Sequence, residues 1–93
     1  MTKAILTMDE SSNLMFDCIN HADDHDACTI ASTLCNALVV GAERKGYEPT
    51  IYNSGHVRLD IMHADAETVY LFQTVYQTLQ EAAQQHPEYI RTY

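Results

Sequence analysis

The chain has 93 residues, 46% of them hydrophobic, and only three Gly and two Pro, which excludes disordered and collagen-like classes. Five Lys/Arg stand against 13 Asp/Glu, a formal charge of −8. A nucleic-acid binder needs clustered cations for phosphate, so that class is excluded, whereas a basic partner or substrate segment fits. A length of this kind is enough for one domain, residues 1–93, with a thin core that dimerisation would help to cover.

No apolar run approaches the roughly 20 residues of a membrane span, and the start MTKAILTMDESSN lacks the apolar stretch of a signal peptide. The expected location is the cytoplasm. Three cysteines cannot all pair with one another, so free thiols are expected.

In chain order, residues 3–8 (KAILTM) and 13–19 (NLMFDCI) read as strands joined by the turn-forming DESS, a β-hairpin. Alternation puts Leu14, Phe16 and Cys18 on one face and Met15, Asp17 and Ile19 on the other, with His21 on that second face if the strand runs so far. Residues 20–26 (NHADDHD) lack apolar periodicity and read as a loop. Asp26 suits an N-cap for a helix whose apolar face is Ala27, Ile30, Ala31, Leu34, Ala37, Leu38 and Gly41. Arg44, Lys45 and Gly46 signal its end.

Residues 47–53 and 56–62 read as a second hairpin around Ser54-Gly55, with Pro49 placing the third strand at an edge or a strand start. From Asp65 to about Gln85 the spacing predicts a long helix with the stripe Val69, Phe72, Val75, Tyr76, Leu79, Ala82 and Ala83. Pro87 ends it, and YIRTY forms a short tail or last strand. The order ββαββα plus tail predicts an α+β two-layer sandwich, an antiparallel sheet with two helices on one face.

The chemistry-bearing residues lie between Cys18 and Cys35. A hydrolytic cysteine needs an activated thiol and a nearby imidazole. Cys28 falls in the first turn of the predicted helix, where free N–H groups and the helix dipole stabilise an anion and suit an oxyanion hole. His21 is on the loop that enters this helix. Ser32 lies one turn beyond Cys28 on the same face, placed to orient a catalytic group or hold a water. Asp24 or Asp26 would orient the imidazole.

Two other readings of these residues stay open. A Cys in an Ala/Ile/Leu-rich helix is commonly a small buried hydrophobe, and Cys35 reads as a buried neighbour of Cys28. Cys18, His21, His25 and Cys28 also spell C-x2-H-x3-H-x2-C, a small metal-binding domain with four possible zinc ligands. His56 and His63 flank the fourth strand, where one more His could join a site but exposed strand-end residues are the plainer reading. The six Tyr, Tyr52 among them, could line a groove, though most read as packing and rim residues.

The segments NHA at 20–22 and DACTIAST at 26–33 resemble the ribosomal-processing cysteine protease (Prp, YsxB-like) family. Its members carry Gly-His-Ala after the first hairpin, then a loop, then a helix opening with Asp, an apolar pair, Cys and a Ser four residues on. NSGHVRLDI at 53–61 is similar to its Gly-containing hairpin, and residues 66–93 to its last helix and Ile-Arg tail. Asn20 stands where the family has Gly, six residues without glycine separate His21 from Cys28, and Asp26 is one position nearer the Cys. A gap-free alignment after Asp26 would place Thr29 at the nucleophile position; keeping Cys-x-x-x-Ser selects Cys28.

The resemblance implies a dimeric endopeptidase without a cofactor, with Cys28 as nucleophile and His21 as base. Bacterial members remove a short N-terminal extension from a large-subunit ribosomal protein, and phage relatives process capsid or scaffold proteins. The partner is then a protein substrate, in a bacterial or infected host cell, with no direct nucleic-acid or membrane contact. The alternative on the same fold is a catalytically inactive peptide-binding module.

Overall fold

A computed structural model describes residues 1–93. The elements are β1 (Thr2–Met8), β2 (Leu14–Ile19), α1 (His25–Arg44), β3 (Ile51–Asn53), β4 (His56–Ile61), α2 (Ala66–Gln85) and β5 (Ile90–Thr92). The strands form one sheet in the order β3-β4-β2-β1-β5.

β1 and β2 are a hairpin because Asp9 organises its turn: one carboxylate oxygen accepts the N–H groups of Ser11 and Asn13. β2 lies at the centre of the sheet, with Phe16 opposite Leu6 of β1 and Leu59 of β4. Its alternation is as expected, Leu14, Phe16 and Cys18 being buried. With Ala4, Leu59 and Ile61 they make the floor on which α1 and α2 pack. Lys3, Asp17, Arg58 and Asp60, on the opposite face, are exposed or half-buried. The two-layer α+β sandwich is therefore the architecture.

Two features depart from the sequence expectation. The sheet is mixed, because β5 runs parallel to β1, with Thr2 opposite Ile90. Its tie is the Tyr76 hydroxyl of α2, which accepts the Tyr93 N–H at 3.0 Å and donates to the Tyr93 carbonyl. β3 is also shorter than 47–53. Pro49 offers no N–H to the sheet, and pairing with β4 begins only at Ile51.

α2 buries most of its expected stripe, whereas the buried face of α1 is rotated from the expected one. Ala37 is exposed, Ile30, Leu34 and Gly41 are half-buried, and Cys35, Val39 and Ala42 are buried in their place. α1 buries Ala27, Ala31, Cys35, Leu38, Val39 and Ala42, leaving Val40 at 55% exposure. It stops where Gly46 takes φ 86°, the left-handed region that glycine enters without a Cβ clash. α2 buries Thr68, Phe72, Val75, Tyr76, Leu79 and Ala82. Phe72 meets Phe16 edge to face at 6.5 Å between ring centroids, which fixes α2 over the central strand. Truncating either ring to Ala would cost about 3–5 kcal/mol. No helix is long and apolar enough to cross a membrane.

A second, smaller cluster of Ala22, Ala27, Ala31, Ala82 and Ile90 joins the N-terminal part of α1 to α2 and β5. It anchors the loop that carries His21.

Candidate active site

β2 ends at Ile19, and the chain then turns sharply. Asn20 has φ 69°. Its N–H donates to the Gly55 carbonyl at 2.9 Å, and its carbonyl accepts the Thr2 hydroxyl at 3.0 Å. This turn breaks the strand alternation, so His21 does not continue the face of Met15, Asp17 and Ile19. Ala22 is buried directly after it, so both neighbours of His21 are held while its own side chain is exposed.

α1 begins at His25. Its N-cap is Asp24, whose carboxylate accepts the Ala27 N–H at 3.0 Å. The expected cap, Asp26, instead lies exposed in the first turn, where its charge suits the positive helix end. A cap two residues earlier places Cys28 one turn into the helix, and its N–H donates to the Asp24 carbonyl at 2.9 Å. The Ala27 and Cys28 N–H groups are thus engaged, and the donors left in the first turn are those of His25 and Asp26.

The loop and the helix bring the two sequence-predicted residues together. Cys28 Sγ lies 3.8 Å from His21 Nδ1, within the reach of a sulfur hydrogen bond. Cys28 is half-buried and His21 exposed, so the pair is accessible to a large substrate. No carboxylate hydrogen-bonds to His21: Asp24 is occupied by the helix N-terminus, and Asp26 makes no side-chain hydrogen bond.

The pair opens into a cleft of about 400 Å³ between α1 and the β3–β4 hairpin. Ser32 lines it one turn beyond Cys28, and Cys18, Cys35 and Val57 give it an apolar floor. The opposite wall is the turn at Ser54 and Gly55, with Tyr52 and Asn36 at the rim. The Tyr52 hydroxyl donates to Asn36 Oδ1 at 2.8 Å. Thr2, Asn20 and Asn36 are the residues that local sequence reasoning missed, whereas Tyr52 belongs to the Tyr set read as packing and rim residues. Only Asn20 carried a signal, as an Asn where the resembled family has Gly.

The zinc-like set does not form. Cys18 is buried in the floor, His25 is exposed on the helix, and no three His, Cys, Asp or Glu side chains converge anywhere in the chain. All three thiols are free. Donating its S–H to Cys18, together with burial, pushes the Cys35 thiol far above its ordinary range, and the same bond lowers the Cys18 thiol. His56, expected as an exposed strand end, is half-buried: it pairs with Asp17 of β2 and is among the residues lining the cleft, while His63 is exposed.

No protein-family model and no curated protein matches the chain. Solved structures do. The essential ribosomal processing protease Prp from S. aureus, in complex with a covalently linked product peptide, is 21% identical with a TM-score of 0.81, over 99% of this chain and 97% of that one. The same protease with a substrate peptide gives 21% identity and a TM-score of 0.82, over 100% and 98% of the two chains. A protein of Streptococcus mutans gives 19% and 0.79, over 99% and 91%. The chain has the fold of the ribosomal processing protease Prp.

Proposed function

We propose that the chain is a cysteine endopeptidase, with Cys28 as nucleophile and His21 as base. The observation that carries this reading is the 3.8 Å approach of Cys28 Sγ to His21 Nδ1 at the open end of a cleft. Its support from outside the chain is a fold shared with a protease solved in complex with peptides.

In the proposed reaction His21 takes the thiol proton and Cys28 Sγ adds to the scissile carbonyl carbon. The His25 and Asp26 N–H groups are the donors available to the oxyanion. As the intermediate collapses, the C–N bond breaks and His21 gives its proton to the leaving amine. A water, deprotonated by His21, then attacks the thioester, the acid product leaves, and the proton returns to sulfur. Asp24, as the cap, and Asp26, by its charge at the positive helix end, support this by stabilising the start of α1, and Ser32 by binding a water or substrate group beside the thiol.

The substrate in this reading is a short segment of a ribosomal protein or of a phage capsid or scaffold protein, cut in the cytoplasm of a bacterial or infected cell. The test is incubation of purified ribosomal proteins, and separately of phage capsid and scaffold proteins, with the chain. New N-termini are expected with the wild type and none with Cys28→Ala. His21→Ala should slow cleavage by about 100-fold or more. Equal cleavage by Cys28→Ala would remove the nucleophile. An intact partner that stays bound to the wild type would instead identify a peptide-binding module.

We also propose that the chain works as a homodimer. Val40, at 55% exposure, and Tyr70, at 74%, leave apolar surface on the helices for a partner. Light scattering under reducing conditions should give about twice the 10.5 kDa chain mass. A monomer at tens of micromolar would remove the claim.

A further inference from the structure

Tyr52 is the middle residue of β3, an edge strand, and pairs in register with Val57 of β4. Val57 faces the cleft floor, so the Tyr52 side chain leaves the sheet on the helix side. There its hydroxyl reaches across to Asn36 of α1. No other side-chain hydrogen bond joins β3 to α1. The ring is 56% exposed, so it stands at the mouth of the cleft, fixed at its tip and not by burial.

Asn36 lies on the same stripe of α1 as Cys28 and Ser32, a little over two turns past the thiol and roughly 12 Å along the axis. The cleft is therefore bounded along the helix by the Cys28–His21 pair at one end and the Tyr52–Asn36 bridge at the other. A group projecting from the reacting carbon over the apolar floor of Cys35 and Val57 would run towards that bridge.

We propose that Tyr52, held by Asn36, is the end wall of the substrate cleft and sets the size of the side chain it admits. This rests on Cys28 being the nucleophile. A side chain short of the bridge leaves the hydrogen bond in place. A longer one has to break it and push the ring into water. The wall thus discriminates by size through a single exposed hydrogen bond, a graded filter and not an absolute one.

N-acetylated amino-acid chloromethyl ketones test this, because the thiol displaces chloride and the label stays on sulfur. The reading is the ratio of the 2-naphthylalanyl to the alanyl labelling rate at Cys28, followed by peptide mass mapping within each protein. Tyr52→Phe loses the donor and should raise the ratio by about threefold to tenfold, the worth of one ordinary hydrogen bond. Asn36→Ala should match it, and Tyr52→Ala should raise the ratio further. An unchanged ratio in all three variants would overturn the inference. So would a lower ratio in Tyr52→Ala, which would make the ring a platform that holds large groups. Slow iodoacetamide labelling of wild-type Cys28 would count against the nucleophile separately. The ratio remains measurable on an ordinary thiol, so the two failures are distinct.

Discussion

The Asn20 N–H is bonded to the Gly55 carbonyl at 2.9 Å, so the residue before the candidate base is tied to the turn that forms the opposite wall of the cleft. Asn20 makes this contact at φ 69°, where a side chain with a short polar group is tolerated and a β-branched one is not. An Asn in place of the resembled family's Gly is thus a conservative change of backbone chemistry. Asn20→Gly should leave folding and Cys28 alkylation within about twofold of wild type, since the left-handed residue is kept. Asn20→Val should cost about 1–2 kcal/mol in chemical denaturation and slow Cys28 alkylation by moving His21. Wild-type stability in Asn20→Val would show that the turn does not hold the backbone in that region.

The three thiols should separate by reactivity. Cys28 is half-buried with an imidazole 3.8 Å away, whereas Cys18 and Cys35 are 7% and 5% exposed. In the native protein iodoacetamide should modify Cys28 first, with Cys18 and Cys35 labelled only on unfolding. The bond that Cys35 donates to Cys18, with burial, holds Cys35 protonated and reinforces its place in that order, while Cys18, which the same bond lowers, is kept slow by its burial. Labelling of Cys28 no faster than a free thiol peptide would show that neither the helix end nor His21 activates it.

The legibility of this fold in its sequence follows the range of the interactions. Alternation in Leu14, Phe16 and Cys18 reports burial directly, because each side chain has only two faces to choose from. The α2 stripe is equally plain at Phe72, Val75, Tyr76 and Leu79. The cap of α1 is not, since Asp23, Asp24 and Asp26 are all able to accept, and burial of Ala22 and Ala27 selects Asp24. The parallel β5 rests on long-range contacts, its ladder to β1, the buried Ile90 and the Tyr76–Tyr93 bond, which no local pattern encodes. His21 and Cys28 were legible by their order around a helix start. The far wall was not, because Tyr52 and Asn36 meet only after two layers have packed.

Acid should weaken the junction between α1 and α2. Lys45 Nζ lies 2.8 Å from Asp65, the N-cap of α2, and this bond, with that from the Thr68 N–H, holds the Asp65 carboxyl well below the usual carboxylate range. A carboxyl depressed in the folded state adds stability above its unfolded pKa of about 3.9 and loses it as pH falls through the folded value. Asp65→Asn keeps a capping oxygen but removes the charge. Its thermal midpoint should be lower than wild type at neutral pH, and the gap should narrow below about pH 4. The pair is exposed, so added salt should also shrink the gap. A gap independent of both pH and salt would mean that the charge contributes nothing and only the cap geometry matters.

Gly41 sets how closely α1 approaches α2. A Cβ placed on it would come within 2.2 Å of Leu71 Cδ2, nearer than any real contact, with the next Leu71 carbon at 3.6 Å. Two effects oppose each other in Gly41→Ala. The helix gains about 1 kcal/mol from losing a flexible residue, while overpacking costs about 1–3 kcal/mol. Leu71 is half-buried and its methyl can swing aside at some cost, so the single variant should be destabilised by about 1 kcal/mol. Leu71→Ala removes the obstruction. On that background Gly41→Ala should become stabilising by up to about 1 kcal/mol, the propensity gain alone. The double-mutant cycle in urea would then show a coupling of about 1–3 kcal/mol between the two positions. The same loss on both backgrounds would place the strain against the α1 backbone or another neighbour, and the close approach of Gly41 to Leu71 would not be what holds the helices at this spacing.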